Sequence, residues 1–232
     1  MHLQKRRNMN KLILKLFGLT GQDIQTKASA LQNLQLTVQE RNYDATLMVH
    51  NATQEQQSAL CAMFAPYIYA TENISIYEQV ARLCALRNRK LSVTEQGSGG
   101  IITANISQTS PAPSFLQTCV TISNPLQFVD MFHIDPRELT QQGMVQRNIL
   151  QQMVSHIETT QKVDLHLLTL AQYTPSPFTA FTSTDIGTIY LGVMDKENVQ
   201  IHKYQAPNTS IKADIMHFTA KLACFALYQI LK

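Results

Sequence analysis

Residues Leu91–Thr103 read LSVTEQGSGGIIT. A short apolar run reaches Thr94-Glu95, a turn follows through Gly97-Ser98-Gly99-Gly100, and the residues beyond suit a helix. A glycine-rich strand-to-helix turn either holds an anion on the free amides of the helix or presents a nucleophile. Ser98 is the single hydroxyl of this turn, flanked by Gly97 and Gly99. Gln96 stands at the sharpest bend, and a glutamine is not a nucleophile.

Upstream, Ser75-Ile76-Tyr77-Glu78 has the spacing of a capping box. The helix it opens would bury Val80, Leu83, Cys84 and Leu86 and end in Arg87-Asn88-Arg89-Lys90. Those cations suit the negative end of a helix dipole and read as a solvated face rather than a nucleic-acid patch. Downstream, Gly100–Ser107 is a helix and "SPAP" at 110–113 a rigid loop. "FLQTCVTIS" at 115–123 reads as a strand buried on both faces. Asn124-Pro125 opens a helix to about residue 132, and Asp135-Pro136 repeats the pattern. Met144–Ile157 is a helix, "VDLHLLTLA" at 163–171 a buried strand, and 172–185 a loop. A hairpin at 186–205 and a final helix capped by Ser210 complete the chain. Strand and helix alternate through 91–171, which predicts a layered α/β domain with a partly parallel sheet.

Before this region, 34–39 and 45–50 alternate as a hairpin around "ERNYD". Thr53 caps a helix stopped by Pro66, and "YIYA" is a third strand. The first residues, KRRNMNKLILKLFGL, have the charged-then-apolar order of a secretory signal. Lys15 interrupts the apolar run and no cleavage site follows, so the segment reads as a leader or connector.

The bulk numbers are consistent with a packed, soluble, cytoplasmic protein. Hydrophobic residues make up 44% of 232 positions, enough for a core. Nineteen Lys+Arg against 16 Asp+Glu give a formal net charge of +3, too mild to argue for nucleic acid. Cys61, Cys84, Cys119 and Cys224 show no CxxC spacing, so neither a zinc site nor a disulfide framework is expected. No cofactor is indicated, and no run spans a membrane.

The order of the pieces resembles the CinA C-terminal domain family. "KLSVTEQGSGGIITANI" resembles its T-x-x-x-A-E-S-C-T-G-G motif and "CVTISNPLQFVDMFHI" its V-x-Y-S-N-x-x-K segment. "GMVQRNILQQM" and "DIGTIYLGV" are similar to its later helix and G-T-V segment. Upstream, "LQLTVQERNYD" and "APYIYATENISIYEQVARLCALRNRKLSVTE" resemble the small KH-like domain that precedes it, and "LKLFGLTGQDIQTK" the connector before that. The resemblance implies a three-layer α/β/α domain with a mixed sheet over 81–232, a small α+β KH-like domain over 25–80, and a connector over 1–24. The first domain usual in such proteins is not matched.

Family members with the full motif resemble Ser-Lys amidohydrolases acting on nicotinamide mononucleotide. In such a site a serine attacks the carboxamide, a neutral lysine takes its proton, and turn amides hold the oxyanion. Here the serine position falls on Gln96, the tyrosine on Ile122 and the lysine on Gln127, so the implied dyad is absent. The substrate loop is matched only by "TLAQYTPSP" at 169–177, where Gln172 and Tyr173 narrow it. Retained positions are Glu95, Ser98, Gly99, Gly100, Ser123, Asn124, Gly143, Gly187 and Thr188. Of these, Glu95, Ser98, Gly99, Gly100, Ser123 and Asn124, together with Gly97, are the candidate ligand-binding set.

The reading is a catalytically degenerate relative whose remaining role is binding of a pyridine nucleotide or protein association, with self-association implied by the resemblance. One alternative is an active amidohydrolase using Ser98, with His133 or Glu95 as base. Another is a purely structural or oligomerising protein. His166, in a buried-looking strand, reads as a core histidine. The KH-like unit shows no G-x-x-G loop between 25 and 80, which argues against RNA.

Overall fold

The computed structural model describes residues 11–31, 33–175, 186–196, 198–207 and 211–232. They form two compact units, the second beginning at Ile76.

The first unit runs β1 (Lys11–Phe17), α1 (Gly21–Ala28), β2 (Gln35–Arg41), β3 (Asp44–His50), α2 (Gln54–Phe64) and β4 (Ile68–Ala70). Its strands pair in the order β2-β3-β1-β4, all antiparallel. This βαββαβ succession is the split βαβ, ferredoxin-like arrangement. The expected hairpin is β2–β3; it turns on Asn42 and Tyr43, both with positive φ (53° and 61°). That twist matches the flanking strands.

The largest departure from the sequence reading is β1. The stretch read as leader and connector supplies an inner strand, with Leu14 and Leu16 fully buried beside Leu47 and Val49. Lys15 does not break it. Its stem lies along the sheet while Nζ reaches Thr46 Oγ1 at 2.7 Å and stands 6.0 Å from the Tyr69 ring centroid, so the charge is solvated by partners far away in sequence.

The second unit is a three-layer α/β/α sandwich. Its sheet, among the described residues, has the order β6-β5-β7-β8-β9, built from β5 (Leu91–Glu95), β6 (Leu116–Thr121), β7 (Leu165–Ala171), β8 (Thr188–Asp195) and β9 (Asn198–Gln205). β5 pairs in parallel with β6 and β7, and β7–β8–β9 run antiparallel, so the sheet is mixed as expected. All seven residues of β7 are buried, and they divide by the two-residue period of a strand. Leu168 and Leu170 join the cluster of α6 (Leu126–Phe132), α7 (Pro136–Gln142) and α8 (Arg147–Thr160). The opposite face is covered by α9 (Lys212–Leu231), which packs on α3 (Ile76–Leu86) and α4 (Ile101–Ser107). A one-turn helix, α5 (Ala112–Phe115), stands where a loop was expected.

Three local expectations differ or fall outside the described residues. Leu86, expected to be buried, is 82% exposed, because the buried stripe of α3 is Ile76, Tyr77, Val80, Ala81 and Cys84. β6, expected to be covered on both faces, is the edge strand, with Gln117, Thr118, Cys119 and Thr121 exposed; its apolar content fills one flank only. Ser210 lies outside the described residues. Of the basic run, expected to be a solvated face, Arg87 is exposed, whereas half-buried Arg89 bonds the Asp164 carbonyl and pairs with Asp195, and Lys90 Nζ donates to the Ser114 carbonyl.

Candidate functional site

The turn after β5 folds inward. Glu95 and Ser98 are fully buried, and Gln96 is nearly so. The Glu95 carboxylate accepts from Ser98 Oγ (2.7 Å), from the Ile102 amide (3.1 Å) and from the Thr103 amide (3.0 Å). Those amides belong to the first turn of α4, where the unpaired N–H groups and the positive end of the dipole favour an anion. The chain's own carboxylate therefore sits where a bound phosphate would have to lie.

Gln96, where the resemblance implies a nucleophile, is a tie across the sheet. Its backbone N–H donates to the Thr169 carbonyl (2.9 Å), and its side-chain Oε1 accepts from the Ala171 backbone N–H (2.9 Å). Thr169, fully buried, adds a hydroxyl 3.4 Å from Ser98 Oγ and donates to the Gln96 carbonyl at 3.3 Å. Gly97 makes this closeness possible. At φ +90° a Cβ there would lie 2.5 Å from the Ala171 Cβ and 2.6 Å from its backbone nitrogen, so only glycine fits. The Met216 methyl of α9 covers Gly99.

The other two altered positions are also occupied by structure. Ile122 is buried among Phe128, Phe132 and Leu168. Gln127 Oε1 accepts from the Ser123 amide (2.6 Å) and the Asn124 amide (3.1 Å). Asn124 Oδ1 in turn accepts from Leu126 and Gln127, a reciprocal cap for α6. Ser123 and Asn124 are exposed and belong to this cap, apart from the Glu95 and Ser98 interior.

His133 is the C-cap of α6, in a left-handed conformation, and its ring stacks edge-on against His156 at 5.3 Å. The Ser98 hydroxyl meets Glu95 and Thr169 rather than His133 among the described residues. His166 is buried opposite Ser92, its Nδ1 without a partner among the described residues. Burial holds its pKa below the ordinary histidine value, which keeps the ring neutral. Among the described residues no group of three or more His, Cys, Asp or Glu could hold a metal ion, and no helix is long and apolar enough to cross a membrane.

Sequence reasoning missed the pairing of Thr169 and Ala171 with Gln96, which joins residues 75 apart in the chain. The visible signal was a threonine inside a mostly apolar strand that also holds His166. It also missed a G-x-x-G at Gly18-Leu19-Thr20-Gly21, just outside the interval 25–80. That turn joins β1 to α1, and two of its amides are engaged within the chain. The Gly18 amide donates to the Tyr43 carbonyl at 2.8 Å, and the Thr20 amide donates to Asp23 Oδ2 at 3.0 Å.

Beside α6, a cavity of about 430 Å³ opens between α6 and α7, lined by Leu126, Val129, Pro136, Leu139 and Met144 with Asn124 at its mouth. Its lining is apolar apart from Asn124 and Thr140, whose hydroxyl donates to the Arg137 carbonyl, and it carries no acid or base.

Comparison with known proteins agrees with this architecture. A putative competence-damage inducible protein of Caldicellulosiruptor saccharolyticus is 22% identical over 208 residues, covering 83% of this chain and 50% of that protein. A CinA-like protein of Sulfurihydrogenibium is 19% identical over 230 residues, 96% of this chain and 56% of the relative. The chain thus spans about half the length of these curated relatives. Among solved structures, a CinA superfamily protein from Klebsiella pneumoniae superposes with a TM-score of 0.59 at 18% identity, covering 67% of this chain and 95% of that one. The competence/damage inducible protein CihA from Agrobacterium tumefaciens gives 0.58 at 16%, covering 70% and 100%. The model of the CinA C-terminal domain matches residues 73–231, well over half of the chain, and the chain belongs to the CinA C-terminal domain family.

Proposed function

We propose that this chain is a CinA-family protein that does not carry out the amidohydrolase reaction and acts through protein association. The observation that carries the reading is the use to which three positions are put. Gln96 ties β5 to β7, Ile122 fills the core and Gln127 caps α6. A Ser-Lys hydrolase needs these positions to face substrate, with a base whose lone pair is free. Neither glutamine has a basic nitrogen, and an isoleucine relays no proton.

The rival reading draws on one distance, the 2.7 Å bond from Ser98 Oγ to Glu95, which has the form of a nucleophile–base pair. Both side chains are fully buried, so a carboxamide carbon has no approach. The α4 amides that would steady an oxyanion are already bonded to Glu95. The same occupancy removes the turn as a seat for the phosphate of a pyridine nucleotide.

The test is a proton NMR time course of nicotinamide mononucleotide with the full chain and with Ser98→Ala. Unchanged spectra in both are expected. Growth of nicotinic acid mononucleotide signals, lost in the Ser98→Ala variant, would overturn the proposal.

A further inference from the structure

The cavity between α6 and α7 is of a size to hold a molecule. Its volume of about 430 Å³ falls within the range of about 300–1,000 Å³ typical of small-molecule sites, which are mostly apolar with a few polar groups that fix orientation. At about 30 Å³ for each water it equals about fourteen waters, which a ligand of roughly ten non-hydrogen atoms displaces in large part. Leu126, Val129 and Leu139 supply hydrocarbon, and Met144 a thioether, a flexible group that adapts to what it touches. Pro125 and Pro136 also line it, and a proline brings no N–H. The Thr140 hydroxyl donates to the Arg137 carbonyl at 3.0 Å, so its proton is turned back into α7.

One polar group stays available to a ligand. Asn124 Oδ1 accepts from the backbone N–H groups of Leu126 (2.9 Å) and Gln127 (3.3 Å), which settles the end of the carboxamide that is oxygen. Its Nδ2 carries two hydrogens and has no hydrogen-bond partner among the described residues. No lining residue is charged. Beside the cavity the Arg137 guanidinium pairs with Asp135 at 2.9 Å, and the acids Asp130 and Glu138 adjoin Val129 and Leu139 in the chain. A carboxylate or phosphate would leave water here with no cation on the walls to receive it. The cavity therefore suits neither a fatty-acid anion nor a nucleotide.

We propose that the cavity binds an uncharged, hydrocarbon-rich carbonyl compound, an ester or a ketone. Asn124 Nδ2 donates to the carbonyl oxygen, and the hydrocarbon part lies between α6 and α7. Leu126 is 68% exposed, and covering its apolar surface adds to the driving force. The lining has no acid or base, so the carbonyl is bound and left unchanged. Binding here goes beyond the association role proposed above and is independent of it.

The test is a titration of the full chain with 2-nonanone, read by NMR at the Met144 methyl, beside a titration with sodium nonanoate at neutral pH. The ketone is expected to shift the methyl saturably, and the anion to bind at least about tenfold more weakly. Asn124→Asp keeps an oxygen for the Leu126 and Gln127 N–H groups and replaces the free donor with a second oxygen. It should weaken ketone binding at least about tenfold, with far-UV circular dichroism unchanged. Thr140→Trp, at an exposed position of α7, fills the cavity from its rim and should abolish the shift. No saturable shift up to the solubility limit of the ketone, equal binding of nonanoate, or a shift that survives either variant would overturn the proposal. A shift that appears only as the protein is diluted would show a second copy in the cavity and overturn it as well. None of these outcomes touches the loss of the hydrolytic reaction, which the nucleotide time course decides separately.

Discussion

The chain contains two glycine-bearing turns that lead a strand into a helix, Gly18–Gly21 before α1 and Gly97–Gly100 before α4, and each helix start holds a carboxylate of its own. At the first, Asp23 lies on the surface and shares a reciprocal cap with Thr20. At the second, Glu95 is fully buried and gathers a hydroxyl and two amides. Water can replace the partners of Asp23, and nothing replaces those of Glu95. The same device is a local cap in one place and a keystone in the other. The difference teaches that a phosphate-like turn in a sequence has to be read together with the acids beside it.

The comparison breaks most readily at the acids themselves. Glu95→Ala takes the buried partner from the Ile102 amide and the Ser98 hydroxyl and from the half-buried Thr103 amide, at about 1–3 kcal/mol for each unpaired group, so a loss of about 4 kcal/mol is expected. Asp23→Ala should move stability far less. Urea unfolding of the two variants side by side measures this, and equal midpoints would end the distinction between keystone and cap.

The glycines sharpen it further. Gly97→Ala forces a methyl into the Ala171 backbone at positive φ, for an expected loss of about 3 kcal/mol. Gly18→Ala has φ +94° but meets only Tyr67 Cδ1, at 3.9 Å, so backbone conformation alone costs about 1–2 kcal/mol. Thermal midpoints that fall in the reverse order would show that the second turn tolerates crowding.

The smallest effect is one of pH. The Thr20 side chain and amide hold the Asp23 carboxyl below its ordinary value. A carboxyl with a depressed folded pKa is protonated first in the unfolded chain. Its contribution is therefore complete above about pH 4 and fades as pH falls through the folded value. Asp23→Asn should flatten that acid limb relative to the parent chain in unfolding midpoints taken from pH 5 to pH 2. Parallel limbs would mean the cap does not titrate.

Much of the second unit was legible because its signals are local: the glycine turn, the Asn124 and Asp135 starts, the mostly apolar run of β7. What misled was context. KLILKLF alternates as a strand should, yet Lys15 looked like an interruption because its partners, Thr46 and Tyr69, are remote in sequence. LQTCVT looked doubly buried because composition does not say whether a strand has neighbours on both sides. At the site, the altered residues at 96, 122 and 127 were visible from the motif. Their new employments were not, since Gln96 finds its acceptor and donor in β7 and Ile122 finds its neighbours in α6.

The all-buried strand β7 also imposes an order of events. The β8–β9 hairpin joins Asp195 to Asn198, a short closure of the kind completed in about 1–10 μs. β5 must wait for β7, which is threaded between the hairpin and the parallel half of the sheet and reaches Gln96 only across 75 residues. Long-range parallel pairing is the slow part of such folds. On a ribosome the hairpin and α9 emerge after every other strand, so the Gly97–Gly100 turn has its α4 amides early and its Ala171 and Met216 neighbours late. During synthesis that turn is a half-built pocket, and its closure dates the completion of the domain.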